Sequence, residues 1–376
     1  MAKRPGREEE GGSRLGPGAP GHDPRLGPGA SGHDPPLGPE ASTLDPQRLP
    51  DEPPQERSLR PGSLADFIGQ ASLKDNLAIL IGAARKRGDP LEHLLFYGPP
   101  GLGKTTLAHL LAHEMDVPLV ATSGPALERA GDLVGLLTSL TPRGILFVDE
   151  IHRIPRVVEE YLYSAMEDGR LDIVLDRGPA ARSVRLNLVP FTLVGATTRV
   201  GLLTAPLRGR FGYTGHLDFY PPEELRAIVE RAAGVLRVVL DEESAALIAG
   251  RARGTPRIAN RLLRRVRDLA DVQGAARVTP EITRAALAML RIDERGLHEM
   301  DRRLLEALVL KFNGGPVGLG TLAAVLGEEE DTLEDLLEPY LMQQGYLERT
   351  RRGRAATRLA FEALGVDPGR AQERLL

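Results

Sequence analysis

An eight-residue segment has the residue types and spacing of a phosphate-binding loop. Residues 98–105, Gly-Pro-Pro-Gly-Leu-Gly-Lys-Thr, fit the pattern G-x-x-x-x-G-K-[ST] at every fixed position. Glycines let the backbone approach an anion closely, and the following helix presents its positive N-terminus to the same charge. We expect Lys104 to reach the β- and γ-phosphates and Thr105 to ligate Mg²⁺. The segment predicts a site for a nucleoside triphosphate, ATP, with Mg²⁺.

Two adjacent carboxylates follow an apolar segment further along the chain. Residues 145–148 predict a buried strand, and Asp149 and Glu150 come directly after it. Ligands of α/β proteins bind at the carboxyl edge of the sheet. We therefore predict that Asp149 holds the Mg²⁺ shell and that Glu150 orients and polarises the attacking water. Together with the phosphate loop, the pair predicts an ATP hydrolase.

Polar side chains also follow a second predicted strand, at residues 191–194. Thr198 comes shortly after this strand and could lie between the nucleotide and the attacking water. Arg208 and Arg210 follow in a loop. Surface arginines are usually solvated, so the loop by itself does not predict a function for these two.

A further cation lies at a predicted helix start. Thr255 has the type of an N-cap residue, and Pro256 suits the first helical turn. Arg257 then projects from that turn, where a cation is unfavourable beside the positive end of the helix dipole. An anionic partner for Arg257 is therefore expected.

The segments around these motifs alternate between strand and helix patterns. Residues 73–87 have apolar side chains at helical spacing, and Gly-Asp-Pro at 88–90 should end that helix. Residues 94–97 predict a strand that leads into the phosphate loop, and residues 106–115 predict a helix after it. Strands that alternate with helices indicate an α/β fold, with a parallel sheet covered on both faces.

Beyond residue 221 the patterns are helical only, and a third region combines helices with a basic hairpin. Predicted helices cover residues 222–234, 241–253, 257–273, 280–290, 301–312, 321–326 and 332–343. The domains that we predict are a tail (1–56), a large ATPase domain (57–222), a small helical domain (223–293), a C-terminal domain (294–366) and a C-terminal tail (367–376).

The N-terminal tail is rich in Gly and Pro and contains an imperfect repeat of about 11 residues, each copy beginning Leu-Gly-Pro. Such a composition cannot hold an α-helix, and we expect disorder there. His22 and His33 lie in the first two copies. Two isolated histidines are weak grounds for a metal site, and we assign none.

Composition narrows the classes of protein to consider. The chain has 376 residues, a net charge of −4 and no cysteine. Its charge does not predict a nucleic-acid partner, so a DNA site would have to be a local basic patch. The lack of cysteine excludes disulfides, zinc–cysteine sites and thiol catalysis. No apolar run of about 18 residues and no secretory signal are present, so we expect a cytoplasmic protein without a membrane partner.

Longer segments of sequence carry a resemblance to one family. They are residues 59–61, 67–70, 93–106, 149–153, 165–168, 178–183, 195–199, 253–268, 314–318 and 338–341. On these segments, the chain resembles the RuvB family, the bacterial Holliday-junction branch-migration motors of the AAA+ class. The resemblance extends from about residue 58 to residue 365, nearly everything outside the tails.

The resemblance implies a homohexameric ring that binds ATP between subunits and pumps duplex DNA, in recombination, DNA repair and the SOS response. By motif match, Thr198 resembles the first sensor and Arg257 the second. Arg210 resembles the arginine finger that reaches the next subunit's γ-phosphate. Gly169 stands where some relatives carry an aromatic residue, so only a backbone contact is expected from it. Residues at nucleotide-lining positions of the family are Leu59, Arg60, Ile68, Pro100, Gly101, Leu102, Gly103, Thr106, Glu167, Asp168, Gly169 and Tyr220.

Residues 171–175 and 183–188 alternate in polarity and predict a hairpin, with Gly-Pro at 178–179 in its turn. By itself this pattern indicates only a surface hairpin. In the family, such an insertion docks the motor onto its partner RuvA, which makes Ile173, Val174 and Leu175 the implied contact. A RuvC-like resolvase is a further implied partner.

The third region resembles a winged helix, with residues 346–359 as its wing. Five arginines fall within ten positions there: Arg349, Arg351, Arg352, Arg354 and Arg358. A basic hairpin suits phosphate contacts with Holliday-junction and duplex DNA, which are independent of base sequence. The family alignment implies Arg349 and Arg354 as the DNA-binding residues. Glu330 would repel phosphate, so no DNA role is expected for it.

Three other classes of function share part of this pattern. A clamp-loader-like switch would keep the phosphate loop and the carboxylate pair but should lack a basic wing. A protein-unfolding motor would need an aromatic pore loop, and none is evident between the phosphate loop and Asp149. A transcriptional regulator would bind particular base sequences. Stepwise displacement of a DNA junction separates the motor from the two switches.

Overall fold

A parallel sheet forms the frame of the first domain. The computed structural model describes residues 58–174 and 183–367. The strands up to residue 217, in chain order, are β1 (Leu94–Tyr97), β2 (Leu119–Ser123), β3 (Ile145–Asp149), β4 (Arg170–Val174), β5 (Ser183–Asn187), β6 (Thr192–Thr197) and β7 (Tyr213–His216). Five of them form one sheet in the order β2-β3-β6-β1-β7, with every neighbouring pair parallel. Strands β4 and β5 form a separate antiparallel hairpin.

Helices cover both faces of this sheet. They are α1 (Ala71–Arg87), α2 (Lys104–Met115), α3 (Ala130–Ser139), α4 (Arg156–Asp168) and α5 (Ala205–Arg208). Side chains alternate along each strand, so Leu94 and Phe96 enter one apolar core while Leu95 enters the other. Gly88, in the left-handed conformation with φ 76°, ends α1 by donating to the carbonyl of Ala84. The predicted α/β class, with its parallel sheet covered on both faces, is confirmed.

Two strands and three helices of this domain were not predicted: β2, β7, α3, α4 and α5, the last of which contains Arg208 where a loop was expected. Strand β7, Tyr-Thr-Gly-His, lies at the sheet edge with only Gly215 buried, so it lacks the apolar pattern of a central strand. Helix α2 begins at Lys104, two residues before the predicted start. Gly103, with φ 105°, serves as its N-cap, so the helix starts inside the phosphate loop.

Four helices follow and close over one side of the first domain. They are α6 (Pro222–Leu236), α7 (Glu242–Gly250), α8 (Pro256–Val272) and α9 (Pro280–Met289). All four were predicted, with ends that differ by up to three residues. Their buried side chains belong to the same apolar core as α1 and α2. We call this unit the lid.

The remaining elements form a unit with an apolar core of its own. Its helices are α10 (Glu299–Glu306), which continues as a π-helix (Ala307–Lys311), α11 (Leu319–Leu326), α12 (Glu330–Thr332), which continues as a π-helix (Leu333–Leu337), α13 (Glu338–Gln343) and α14 (Arg358–Ala363). Strands β8 (Leu347–Thr350) and β9 (Gly353–Ala356) form an antiparallel hairpin. Three continuous helical segments, at residues 299–311, 319–326 and 330–343, have the β8–β9 hairpin beside them and make the predicted winged helix. We call this unit, with α14, the head, and β8–β9 is its wing.

A buried ion pair joins the lid to the head. Arg253, just before α8, donates to Asp301 on α10 at 3.0 Å, and both side chains are buried. The guanidinium of Arg253 also lies over the ring of Tyr340, 4.3 Å from its centroid. Asp301 accepts a second hydrogen bond, from the backbone N–H of His298 at 2.8 Å. We call these four residues the clasp.

Among the described residues, the helices are too short or too polar for any of them to cross a lipid bilayer.

Candidate nucleotide site and DNA interface

The phosphate loop opens into a pocket between the first domain and the lid. The predicted nucleotide residues that line this pocket are Leu59, Arg60, Ile68, Pro100, Gly101, Leu102, Gly103, Lys104, Thr105, Thr106, Tyr220 and Arg257, together with Asp149 and Glu150. Tyr220 is buried and donates its hydroxyl to the carbonyl of Leu102, which fixes the back of the loop. The structure thus brings twelve predicted binding residues and both carboxylates to one place.

Lys104 is held at the base of the loop by the loop itself. Its ammonium group donates to the carbonyls of Gly98 at 2.8 Å and Pro99 at 2.9 Å. The pKa of Lys104 is lowered to about 8, mainly by burial and in a smaller part by the charge of Arg257, although Asp149 and Glu150 act in the opposite direction. A buried ammonium group with a lowered pKa would be stabilised by an anion, so this environment fits a bound phosphate.

The adjacent carboxylates have opposite pKa shifts. Burial raises the pKa of Asp149, and the negative charge of Glu150 adds to that rise. Burial would also raise the pKa of Glu150, but hydrogen bonds from His152 and from the backbone of Thr198 outweigh it, so that pKa is lowered. Glu150 therefore remains ionised at neutral pH. An ionised carboxylate at this edge of the sheet can orient a water molecule and accept its proton.

Thr198 contacts Glu150 directly. Its backbone N–H and its hydroxyl both donate to Glu150 Oε2, at 3.4 and 3.3 Å. His152 Nδ1 lies 3.2 Å from the same oxygen and 2.9 Å from the hydroxyl of Thr197. These polar groups form a shell that fixes the Glu150 carboxylate. Sequence reasoning gave His152 no role, although its place two residues after the carboxylate pair was a usable signal.

The lid contributes cations to the same pocket. Arg257 meets the loop at Gly101, where an added Cβ would lie 3.1 Å from the Cβ of Arg257. This close approach explains a glycine at that position. Thr255 does occupy the N-cap position of α8, but its hydroxyl donates backwards to the carbonyl of Ala252, so it caps no helix N–H. Arg231 was not predicted, yet it lines the pocket and donates to the carbonyl of Leu59.

The pocket has side chains suited to Mg²⁺. The Thr105 hydroxyl and the Asp149 carboxylate both line it, and burial and the charge of Glu150 raise the pKa of Asp149 despite the opposing charges of Lys104 and Arg257. Mg²⁺ is usually held by one or two protein oxygens, with waters and phosphate oxygens as the other ligands. Within residues 58–174 and 183–367, no group of three or more His, Asp or Glu side chains could hold a metal unaided. The donor set therefore fits a metal that enters with the nucleotide.

Four predicted nucleotide residues lie elsewhere. Glu167 and Arg210 line a separate hollow, and Asp168 and Gly169 follow directly at the end of α4. None of the four lines the pocket of the phosphate loop. Within one chain, these residues are therefore not part of the nucleotide pocket.

Arg210 is held firmly in that hollow. Its guanidinium pairs with Glu167 at 2.5 Å and donates to the carbonyl of Pro206 at 2.8 Å. It also lies over the ring of Tyr163, 4.8 Å from the centroid. The Tyr163 hydroxyl in turn donates to the buried carboxylate of Glu159 at 2.6 Å. Tyr163 and Glu159 were not predicted, and they orient the guanidinium of Arg210.

The two arginines predicted to bind DNA have different surroundings. Arg349 is exposed on the wing and pairs with Glu334 at 2.8 Å. Arg354 is only 8% exposed, and its guanidinium makes a bidentate pair with the buried Glu338, at 2.6 and 3.2 Å. In this conformation the Arg354 guanidinium is paired with Glu338 and is not presented to a phosphate, so contact with DNA by this side chain stays a prediction. A buried carboxylate needs a cation beside it, and Arg354 is that cation for Glu338.

The predicted partner contact falls largely outside the described residues. Ile173 and Val174 lie on β4, where the backbone pairs with β5, and their side chains are not described. Leu175 lies outside the described residues altogether, as does the predicted turn at 178–179. The hairpin itself is present in the structure.

A triphosphate pocket formed by the edge of a parallel sheet below and a helical lid above identifies the chain as an AAA+ ATPase. Family models match almost the whole described part of the chain. They are the Holliday junction DNA helicase RuvB P-loop domain (residues 59–217), the RuvB AAA lid domain (220–293) and the RuvB C-terminal winged helix domain (294–365). The chain belongs to the RuvB family.

Individual relatives agree with this assignment. The Holliday junction branch migration complex subunit RuvB of Chlorobaculum parvum is 61% identical over 307 residues, which cover 82% of this chain and 90% of that protein. The protein of the same name from Chlorobaculum tepidum is 61% identical over 306 residues, with 81% and 89% covered. The solved structure of the Thermotoga maritima RuvB Holliday junction branch migration motor is 48% identical, with a TM-score of 0.76, and covers 82% of this chain and 99% of that one.

Proposed function

We propose that this chain is the ATP-driven motor of a Holliday-junction branch-migration complex. It would pump duplex DNA through ATP hydrolysis, in the cytoplasm, together with a RuvA-like junction-binding partner and a RuvC-like resolvase. The relatives named above are branch migration complex subunits, which supports the partner and the junction as substrate. The five-part division, with boundaries at residues 56, 222, 293 and 366, is part of the same proposal.

One observation carries this proposal: the nucleotide pocket lies between two domains. Gly101 and Lys104 belong to the first domain, whereas Arg231 and Arg257 come from the lid. A nucleotide that contacts both domains binds best at one angle between them, so hydrolysis and release must change that angle. Such a site converts the chemistry of ATP into domain motion, which a motor requires.

The location of Arg210 supports a ring. Its guanidinium lies outside the pocket of its own chain, beside Glu167. An arginine that stabilises transition-state charge must touch the γ-phosphate, so Arg210 would act on the pocket of a neighbouring subunit. Glu167, Asp168 and Gly169 would then line the neighbour's nucleotide as well. A homohexamer, as the family implies, completes every pocket in this way.

Within each pocket, the described contacts support separate tasks for these residues. Lys104 and Arg257 would hold the phosphates, and Glu150, fixed by Thr198 and His152, would orient the attacking water and accept its proton. Thr105 and Asp149 would hold Mg²⁺. When bound, that ion would neutralise charge on the β- and γ-phosphates.

The head would grip DNA through exposed cations of the wing. Arg349, Arg351 and Arg352 are exposed at its tip. Contacts with phosphates position a protein without reading bases, as a motor that moves along any sequence requires. Ile173, Val174 and Leu175 of the β4–β5 hairpin would contact the RuvA-like partner.

The test uses a synthetic four-way junction, the RuvA-like partner, ATP and Mg²⁺. We expect two duplexes to form only when the partner and ATP are both present, and the Glu150→Gln chain to bind ATP but form none. Hydrolysis that leaves the junction intact under all conditions would contradict the motor function and favour an ATP-dependent switch. Binding restricted to particular base sequences would favour a transcriptional regulator.

A further inference from the structure

The head has an acidic face where it meets the first domain. Asp331, Glu334 and Asp335 lie on the irregular helix that begins at α12, and none of the three is buried. Acids on a DNA-binding unit repel phosphate, so this face cannot serve to grip DNA. The π-helical turn at Leu333–Leu337, which contains Glu334 and Asp335, is a distortion that frequently marks functional sites.

One cation of the first domain meets all three acids. Arg199 Nε donates to Asp335 Oδ1 at 2.7 Å, and its Nη2 donates to Asp331 Oδ1 at 3.1 Å. The same Nη2 lies 3.5 Å from Glu334 Oε2. Arg199 is 25% exposed on its side chain, so these contacts are partly shielded from water. They link the first domain to the head, and we call them the bridge.

Arg199 is also connected to the hydrolytic centre. It follows Thr198, which donates to Glu150 through both its backbone N–H and its hydroxyl. The backbone N–H of Arg199 donates to the hydroxyl of Thr197 at 3.0 Å, and that hydroxyl lies 2.9 Å from His152 Nδ1. His152 is the second side chain that holds Glu150. A shift of Arg199 therefore acts on both groups that orient this carboxylate.

The other end of the bridge reaches the wing. Glu334 is shared between domains: one oxygen lies 3.5 Å from Arg199, and the other lies 2.8 Å from Arg349. Arg354 is also near, 3.8 Å from the latter oxygen. Glu334 therefore contacts both Arg349, the exposed arginine proposed to bind DNA, and Arg199, the arginine beside the hydrolytic centre.

We propose that Arg199 is a positioning residue that couples DNA on the wing to ATP hydrolysis through Glu334 and Asp335. This inference rests on the proposed function. A DNA phosphate at Arg349 competes with Glu334 for that guanidinium, which leaves Glu334 to pair with Arg199. A more firmly held Arg199 fixes Thr198 and Thr197 in place, so Glu150 orients water better. Duplex DNA should therefore raise kcat for ATP and leave the KM for ATP unchanged.

The experiment measures kcat and KM for ATP with and without saturating duplex DNA. In Asp335→Asn, which loses the shortest contact of the bridge, we expect the DNA-dependent increase in kcat to fall roughly two- to fivefold, the range that single exposed ion pairs carry. The KM for ATP should not change. Glu329→Gln removes the same charge from the same acidic segment, two residues before Asp331, and should behave like the unaltered chain.

A charge exchange tests the pair itself. Arg199→Asp and Asp335→Arg should each lose the response to DNA, and the double variant should recover part of it, which a merely structural role would not produce. An unaltered chain that ignores duplex DNA would overturn the proposed function and this inference together. If the unaltered chain and the Asp335→Asn chain both respond to DNA, and respond equally, this inference alone is overturned. Equal losses in Glu329→Gln and Asp335→Asn also overturn it.

Discussion

The two neighbouring carboxylates differ because their hydrogen-bond partners differ. Asp149 accepts one backbone N–H, from Glu150, whereas Glu150 is contacted by Thr198 and His152. The pKa of Asp149 is raised and that of Glu150 is lowered. Adjacent titratable groups with opposite shifts often have separate roles in catalysis. At this scale, Asp149 suits a metal ligand that gains from added positive charge, and Glu150 suits the group that contacts water.

Arg210 gives a residue-scale prediction about subunit contacts. We expect Arg210→Ala to bind ATP and form rings, but to lose turnover by about 10³-fold or more, because an arginine finger contributes on that order. Glu150→Gln should be inactive for a different reason, because its own pocket lacks the carboxylate that accepts a proton from the attacking water. Mixed rings of the two variants should regain activity, since an intact Glu150 pocket can then meet an intact Arg210 from the neighbouring subunit.

The control for this mixture is Arg208→Ala, an exposed arginine at the end of α5, two residues before Arg210. It should hydrolyse ATP normally on its own. Mixtures of Arg210→Ala and Glu150→Gln that remain inactive, although both variants form rings, would show that Arg210 does not act across the subunit interface.

The wing shows how one element can contain arginines with different tasks. Arg349 on β8 is exposed, while Arg354 on β9 points inward to Glu338. We expect Arg349→Ala to weaken duplex binding, and to reduce the slope of log affinity against log salt by about 1, with unfolding free energy changed by less than about 0.5 kcal/mol. Arg354→Ala should instead cost about 3–5 kcal/mol of stability, because Glu338 stays buried without a partner.

Salt-dependent DNA binding and chemical unfolding, measured on the same samples, separate these two effects. Arg358→Ala is a matched control, since that arginine is exposed and pairs only with Glu362 among the described residues. If Arg354→Ala keeps full stability but loses DNA affinity, then Arg354 contacts DNA directly, and the pair with Glu338 must open when DNA binds.

The elements explain how far the sequence could be interpreted. The phosphate loop and the strand before Asp149 follow from local patterns, because glycine spacing and apolar runs are visible without the fold. Strand β7 was missed because it lies at an edge and buries only Gly215. Arg354 was expected at DNA because of the family resemblance, and the local sequence pattern does not reveal that a helix carries a buried acid opposite it. Such pairings depend on contacts between distant segments.

At the scale of the whole molecule, three domains touch one another pairwise. The first domain and the lid meet around the nucleotide pocket, the lid and the head meet at the clasp, and the head and the first domain meet at the bridge. The clasp is buried, with Asp301 fully so. The bridge is partly exposed. Removing one partner of a buried pair is far more destabilising than removing one of an exposed pair, so the clasp is the firmer joint.

The clasp makes a prediction about pH. Burial, together with the positive charges of Arg253 and Arg261, lowers the pKa of His298 to about 4. The unfolded chain, with an ordinary histidine pKa near 6.5, therefore binds the proton first as pH falls. The stability that this histidine contributes is complete above about pH 6.5 and decreases toward pH 4. Between pH 7.5 and pH 5 we expect it to lower the unfolding free energy by about 2 kcal/mol.

Chemical unfolding at both pH values, for the unaltered chain and for His298→Gln, measures this contribution. Between pH 7.5 and pH 5, the unfolding free energy of the variant should fall by about 2 kcal/mol less than that of the unaltered chain. His113→Gln removes an exposed histidine and should follow the unaltered chain. An identical pH dependence for His298→Gln and the unaltered chain would contradict the assignment.

The three joints have a consequence in mechanical terms. Three rigid bodies joined at only two places can swing freely, but with a third joint they form a closed triangle, which is a truss. A truss does not bend at a corner unless one of its connections lengthens or breaks. If nucleotide turnover changes the angle between the first domain and the lid, the strain must appear at another of the three joints. The weakest connection is the bridge at Arg199, so each cycle of the motor should break and remake it.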